Sequence, residues 1–303
     1  MSRTKDLRNC SAEEIRKFLD SFDVILSDCD GVLWHIDSPI ENAVEALSKL
    51  QSFGKKVYLV TNNGTAGANM ICTRLKKSGF EAKDDQVIIP PKVIAWHLKQ
   101  INFKGQVFAI AMEPFRKVLI DAGIDLLDEK IPYIRPNDVA ATVCAVQDLK
   151  SVKAVITDFD VNCNWAKLTF AISCLKRKDV LYLAGALDRW VTCGNGSMIL
   201  GPGPLTDIVT EGSGREPTSC AKPSIILQNY VFDLCNVTNP KRCLFIGDTV
   251  NHDMKFGGMC GFQKFFVSTG CDTIVEAQKT EETCPDYYLP NFGQLVPILD
   301  GIF

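Results

Sequence analysis

Asp28-Cys29-Asp30-Gly31 sets two carboxylates two residues apart, directly after the mostly apolar, β-favouring run Phe22-Asp23-Val24-Ile25-Leu26. Such a run reads as a buried strand, and Gly31 lets the backbone turn sharply at its end. In an open α/β sheet, ligands bind at the carboxyl ends of the strands. Residues two apart on a regular strand share a face; where the strand already turns, one carboxylate and a neighbouring carbonyl can face a common ion. Two acids this close repel unless a cation lies between them. A hard cation with oxygen ligands, Mg2+ first of all, suits the pair. Asp-x-Asp-Gly is also ordinary turn chemistry, since Asp caps turns and Gly tolerates positive φ. Further polar islands elsewhere in the chain weigh against that plainer reading.

One is Thr61-Asn62-Asn63-Gly64-Thr65, after the run Lys56-Val57-Tyr58-Leu59-Val60. Another is Lys222-Pro223-Ser224, and a last one is Gly247-Asp248-Thr249-Val250-Asn251-His252-Asp253, after Cys243-Leu244-Phe245-Ile246. Collected, Asp28, Asp30, Thr61, Asn62, Lys222, Asp248 and Asp253 offer acids for a metal, one lysine, and hydroxyl and amide donors. That set suits an anion held beside a cation. Phosphate fits best, because a phosphoryl group in transfer spreads charge over three oxygens. Lys222, Thr61, Asn62 and nearby backbone N–H groups could hold those oxygens, with Mg2+ on Asp28, Asp248 and the Asp30 carbonyl. Asp28 would be a carboxylate nucleophile forming an aspartyl-phosphate, and Asp30 the general acid and base. Nothing favours Ser-His-Asp chemistry, and no Gly-x-x-x-x-Gly-Lys loop exists for a P-loop ATPase. His252 lies near this set, but a structural role is the expectation for it.

The elements that must carry these groups follow from the pattern. Ser11 and Glu14 form a capping box for a helix over 11–20. Ser38-Pro39 is expected to open the next helix, with Ile40, Ala43, Val44, Leu47 and Leu50 on its apolar face and Gly54 at its end. A strand over 56–60 and a helix over 66–78, closed by Gly79, then imply a parallel sheet with right-handed crossovers. A second α/β unit follows: strands 106–111, 152–157 and 180–184, a helix over 113–122, and a helix with Trp165, Leu168, Ile172 and Leu175 on one face. Gly194-Asn195-Gly196 reads as a hairpin turn within it. Pro223 at a first helical position would set Lys222 at a helix N-terminus. The expected organisation is residues 1–99 and 217–303 as one core, with 100–216 inserted as a second domain.

At 303 residues the chain is long for a single core, so an insertion is expected. A formal net charge of -3 gives no electrostatic case for nucleic acid. The 13 cysteines are scattered without Cys-x-x-Cys spacing, which excludes the usual zinc pattern. With no apolar leader or span, we expect no membrane partner and a reducing, cytoplasmic setting. Cys29, between the two acids, could distort the site on oxidation; burial among carboxylates would instead raise its pKa and leave it inert packing.

Asp-Cys-Asp-Gly-Val-Leu-Trp at 28–34, Thr-Asn-Asn at 61–63, Lys-Pro-Ser at 222–224 and Gly-Asp-Thr-x-x-x-Asp at 247–253 resemble the four motifs of haloacid dehalogenase (HAD) superfamily phosphatases. The insertion is similar to the type II cap of the NagD-like branch, which includes p-nitrophenylphosphatases, phosphoglycolate phosphatase and pyridoxal phosphate phosphatase. The resemblance implies an α/β fold: a Rossmann-like parallel-sheet core with a large inserted α/β cap. It implies Asp28 as nucleophile and metal ligand, Asp30 as acid/base and carbonyl ligand, and Asp248 as metal ligand. Asp253 would support the metal site, and Thr61, Asn62, Asn63 and Lys222 would bind phosphate. By analogy with relatives, a homodimer through the cap is expected.

The chain also departs from that pattern. Gly64 stands where relatives often have Ser, and Ala221 where they often have Gly. Asp158 replaces a frequent Gly, with Asp160 retained. In the cap, Gly185-Ala186-Leu187-Asp188 replaces a Thr-Asn-x-Asp-like stretch, and Val191 stands where some members carry a substrate-contacting His. The resulting expectation is a Mg2+-dependent phosphatase of a small phosphomonoester, with p-nitrophenyl phosphate as an in vitro substrate and a phosphoglycolate- or pyridoxal-phosphate-like natural one. Two alternatives stay open: a catalytically weakened phospho-ligand-binding or regulatory protein, which the cap departures motivate, and a phosphoprotein phosphatase, which would need a cap open enough to admit a peptide.

Overall fold

Residues 4–35, 38–128, 138–192 and 197–302 are described by a computed structural model of the chain. The chain first lays down β1 (Lys5–Asp6), β2 (Val24–Ser27), β3 (Lys56–Val60) and β4 (Val87–Ile88). It continues with β5 (Gln106–Ile110), β6 (Val152–Thr157), β7 (Leu181–Ala184), β8 (Trp190–Thr192), β9 (Met198–Leu200) and β10 (Thr218–Ser219). It closes with β11 (Cys243–Gly247), β12 (Gln263–Val267) and β13 (Tyr287–Leu289). The larger sheet runs β1-β13-β12-β11-β2-β3-β4 and the smaller β10-β7-β6-β5. Every pairing within these two sheets is parallel; β8 and β9 pair antiparallel on their own. The fold is therefore α/β, a parallel-sheet core with a second parallel unit inserted in the chain.

Near-continuous apolar strands are what a parallel sheet with both faces covered requires. Ile25 points into a core with Leu47, Leu59, Phe265 and Phe292. Its neighbour Leu26 points the other way, into a core with Val60, Ile94, Ile226 and Phe245. That second core continues into the smaller sheet through Phe115, Ala109 and Ile156. The far face of the smaller sheet packs Phe108, Val155 and Phe170. Among the described residues, no helix is long and apolar enough to cross a membrane.

Several local expectations need correcting. The helix expected to start at Ser38-Pro39 starts at Ala43, with Asn42 as its cap at φ 57. Ile40 is buried in the approach to it, its N–H on the Leu33 carbonyl, so its burial mimics helical spacing without a helix. On the helix Trp165–Leu175, Trp165 is exposed while Ala166, Phe170, Ala171, Cys174 and Leu175 face inward. Hydrophobicity misled there because Trp165, the first residue of the helix, lies off the face that packs inward. Pro223 is not the first helical residue: Ser224 caps the helix Ile225–Leu234, accepting from the Leu227 N–H at 3.1 Å. Lys222 thus precedes the helix rather than capping it. The smaller sheet also takes in Thr218–Ser219, past the expected boundary at residue 216. Gly194-Asn195-Gly196 lies outside the described residues, between β8 and β9.

Candidate active site

β2 lies between β11 and β3, with Ser27 level with Ile246 on one side and Leu59 on the other. The chains that leave these strands, at Asp28, Thr61 and Asp248, therefore emerge side by side. Asp28 takes the Ile246 carbonyl with its own N–H at 2.9 Å before the chain turns away. Gly31 turns at φ +84 directly beneath Asp248: a Cβ there would sit 2.3 Å from Asp248 Oδ2. The Thr269 hydroxyl donates to the Gly31 carbonyl and holds the turn from the β12 side.

Lys222 reaches the same place from the loop after β10. Its Nζ lies 2.8 Å from Asp28 Oδ2 and 2.7 Å from Asp253 Oδ1. Burial works against its charge, yet Asp253 and Asp28 outweigh burial and lift its pKa. Asp253 spends its other oxygen on the N–H groups of Asp248 and Thr249, at 3.1 and 3.0 Å, and on the Thr249 hydroxyl at 2.7 Å. Burial pushes this carboxyl up, but Lys222 and Thr249 prevail and hold it below the usual range. The Asp28 carboxyl ends well above that range: burial dominates, and Lys222 offsets only part of it.

Carboxylate oxygens of Asp28, Asp248 and Asp253 lie within 4.8 Å of one another. One ammonium faces these three acids, and it bonds only Asp28 and Asp253. Asp248 Oδ1 is buried with no hydrogen-bond partner among the described residues. Burial, with Asp253 and Asp28 close by, raises its pKa well above the ordinary value. An orphaned carboxyl oxygen in a buried cluster of acids is the donor a hard cation takes. Asp28 and Asp248 therefore fit a hard divalent cation such as Mg2+. Asp253, with both oxygens engaged, orients Lys222 and the Asp248 turn instead.

Asp30 accepts from Trp34 Nε1 at 3.2 Å on one oxygen and from Asn63 Nδ2 at 3.3 Å on the other. Burial raises its pKa against the pull of Asn63 and Lys222. Asn62 accepts the Lys222 N–H at 2.8 Å and donates to the Lys222 carbonyl at 3.2 Å. Thr61 Oγ1 accepts the Asn63 N–H at 3.0 Å and shapes the turn. The structure thus brings Asp28, Asp30, Thr61, Asn62, Asn63, Lys222, Asp248 and Asp253 into one cluster. Cys29 is buried, and burial followed by Asp28 and Asp30 pushes its thiol well above the ordinary value, so it packs rather than reacts.

Sequence reasoning left Trp34 and Asp188 without a role and gave His252 only a structural one. Trp34 was part of the first motif, but nothing in the sequence shows that it bonds Asp30 while the Arg74 guanidinium lies 4.4 Å from its ring centroid. Asp188, noted only as the last residue of the departing stretch 185–188, accepts from Asn62 Nδ2 at 3.1 Å. His252 Nδ1 lies 3.4 Å from the other Asp188 oxygen, so this histidine braces the inserted unit against the core. A lone carboxylate 126 positions from Asn62 carries no sequence signal of that contact.

Two family models match separate stretches of the chain. The family model described as haloacid dehalogenase-like hydrolase matches residues 25–125, and one described as HAD-hydrolase-like matches residues 219–295. Chronophin of Rattus norvegicus is 28% identical over 313 residues, covering 100% of this chain and 95% of its own. Glycerol-3-phosphate phosphatase of Gallus gallus is 29% identical over 313 residues, covering 97% of each. Among solved structures, glycerol phosphate phosphatase of Mycobacterium tuberculosis in complex with magnesium has a TM-score of 0.74 at 20% identity, covering 96% of this chain and 78% of its own.

Proposed function

The chain belongs to the haloacid dehalogenase-like hydrolases, and on that premise we propose that it is a Mg2+-dependent phosphatase of small phosphomonoesters. The observation that carries this reading is Asp28, held 2.8 Å from Lys222 beside the orphaned Asp248 oxygen. Asp28 is the nucleophile: one of its oxygens attacks phosphorus as the bond to the leaving alcohol breaks. Asp30 gives its proton to the leaving oxygen, a role suited to a carboxyl raised by burial. Water then attacks the aspartyl-phosphate, Asp30 takes back a proton, and the break of the Asp28–phosphoryl bond releases phosphate. Lys222, Thr61, Asn62 and Asn63 bind the phosphoryl oxygens throughout. Mg2+, when bound by Asp28, Asp248 and the Asp30 carbonyl, supplies the positive charge that offsets the acids and the phosphate.

Asp188 reaching Asn62 supports a small ester over a peptide, because the inserted unit then rests on the rim of the site. The names of the relatives, chronophin and glycerol-3-phosphate phosphatase, point the same way. Cytoplasmic location and a homodimer through the inserted unit belong to this reading; β8 and β9 carry exposed Trp190, Met198, Ile199 and Leu200, an apolar face that a second copy would cover. The test is release of p-nitrophenol from p-nitrophenyl phosphate by purified protein. We expect turnover that a chelator abolishes and Mg2+ restores. Tight binding of phosphate with no turnover would instead identify a phospho-ligand-binding protein.

A further inference from the structure

Asp158 follows β6 and is only 1% exposed, yet among the described residues no cation pairs with it. Its Oδ1 accepts the Phe159 N–H at 2.7 Å and its Oδ2 the Ala186 N–H at 2.9 Å. The carboxyl fills a notch that glycines leave open on two sides. A Cβ on Gly64, in the core turn, would lie 2.7 Å from Oδ1; a Cβ on Gly185 would lie 1.9 Å from Oδ2. The Phe115 ring closes a third side, 2.8 Å from that same position on Gly64. Two residues beyond Ala186 comes Asp188, which meets Asn62 and His252. Both acids of the inserted unit therefore press on the one turn whose Asn62 grips the Lys222 main chain and whose Asn63 bonds Asp30.

We propose that Asp158 is a positioning residue: seated on Gly64, it braces loop 185–188 against the turn Asn62–Gly64 and so keeps Asn62 and Asn63 aligned with Lys222 and Asp30. Its catalytic consequence rests on the phosphatase reading; the seat itself does not. Burial pushes the Asp158 carboxyl up to about 7, with the Phe159 and Ala186 N–H groups opposing and Asp188 adding to the rise. Asp188 is the charged group facing it; Gly64 meets it from the core, Phe115 from the helix Glu113–Asp121 and Gly185 from its own sheet. Asp160, two residues on, is paired with Lys167 at 2.7 Å. Below neutrality Asp158 is seated as a neutral acid. Above it, a second negative charge appears beside Asp188 and the seat loosens.

Gly64→Ala, Asp158→Gly and the double variant test this, each read by kcat/KM and by thermal unfolding. Asp158→Gly should lower kcat/KM about tenfold at about pH 6 and hardly at all at about pH 8.5, where the wild-type seat is already loose. Gly64→Ala should be harmful in the wild type, by KM and by melting temperature, and less harmful once Asp158 is gone, when only the Phe115 ring still crowds the added Cβ. Equal losses from Asp158→Gly at both pH values, or additive effects of the two substitutions, would overturn the proposal. Should wild type show no turnover at all, the phosphatase reading fails while the melting-temperature cycle still decides whether the seat exists.

Discussion

Asp248 Oδ1 is the atom that separates a metal site from an ordinary cluster of buried acids. Were the cluster only structural, each buried oxygen would find a donor, as those of Asp253 do. We therefore expect Mg2+ to raise the melting temperature of the wild type, by the equivalent of about 2.7 kcal/mol at 100 times its dissociation constant. Asp248→Asn should abolish that response, and its metal-free form should melt above the metal-free wild type, since a repelling charge is gone. A magnesium response that survives the substitution would place the ion elsewhere. Asp28→Asn should lower turnover by at least about a thousandfold with the fold intact, checked by steady-state kinetics beside circular dichroism. Asp253→Ala should cost stability instead, about 3–5 kcal/mol, because it strips one partner from a buried lysine; denaturant unfolding measures this. At this scale the sequence was informative wherever chemistry depends on residue type at a strand end: Asp28, Asp30, Lys222, Asp248 and Asp253 were all in view. Asp158 was visible only as a departure and Asp188 only as the acid that ends a departing stretch, because what they pack against lies across a fold that has to form first.

The elements position these groups by register. Ser27, Ile246 and Leu59 lie level in adjacent parallel strands, so three loops meet without long reaches. Gly31 is where that arrangement leaves no room: Gly31→Ala forces a Cβ against Asp248 at a φ of +84. It should weaken Mg2+ binding and turnover together, and calorimetric titration with Mg2+ that gives wild-type affinity would contradict this. The alternating strand and helix runs were legible from periodicity, as was the Ser11–Glu14 capping box, which is present as expected. The start of the helix Ala43–Ser52 was not, since Ser38-Pro39 offers cap chemistry but the chain spends those residues approaching the core. Pro223 misled similarly: it favours a first helical position, yet the Ser224 hydroxyl competes successfully for the cap.

At the scale of the whole molecule, two parallel sheets share an apolar core through Phe115, Ala109 and Ile156, and the Asn62–Asp188 hydrogen bond, with Asp158 packed against Gly64, closes the seam above the site. The buried Asp158 carboxyl ties stability to pH. Its folded-state pKa, about 7, lies above the ordinary 3.8, so its contribution is complete below the ordinary value and is lost as pH rises through 7. Unfolding midpoints of the wild type should thus fall between mildly acidic and mildly alkaline pH, and Asp158→Gly should flatten that fall. The parallel α/β plan with an insertion could be read from the order of strands and helices. The seam could not, because it joins residues whose separation in the chain carries no pattern.

The central claim is that Asp28 carries the phosphoryl group. Acid quenching during turnover tests it most directly: protein caught before water attacks the phosphorus and releases phosphate should carry a phosphoryl adduct on the peptide that contains Asp28. We predict that adduct in the presence of Mg2+ and its absence in Asp28→Asn. Steady turnover with no adduct on that peptide, or an adduct mapped to another residue, would contradict the account.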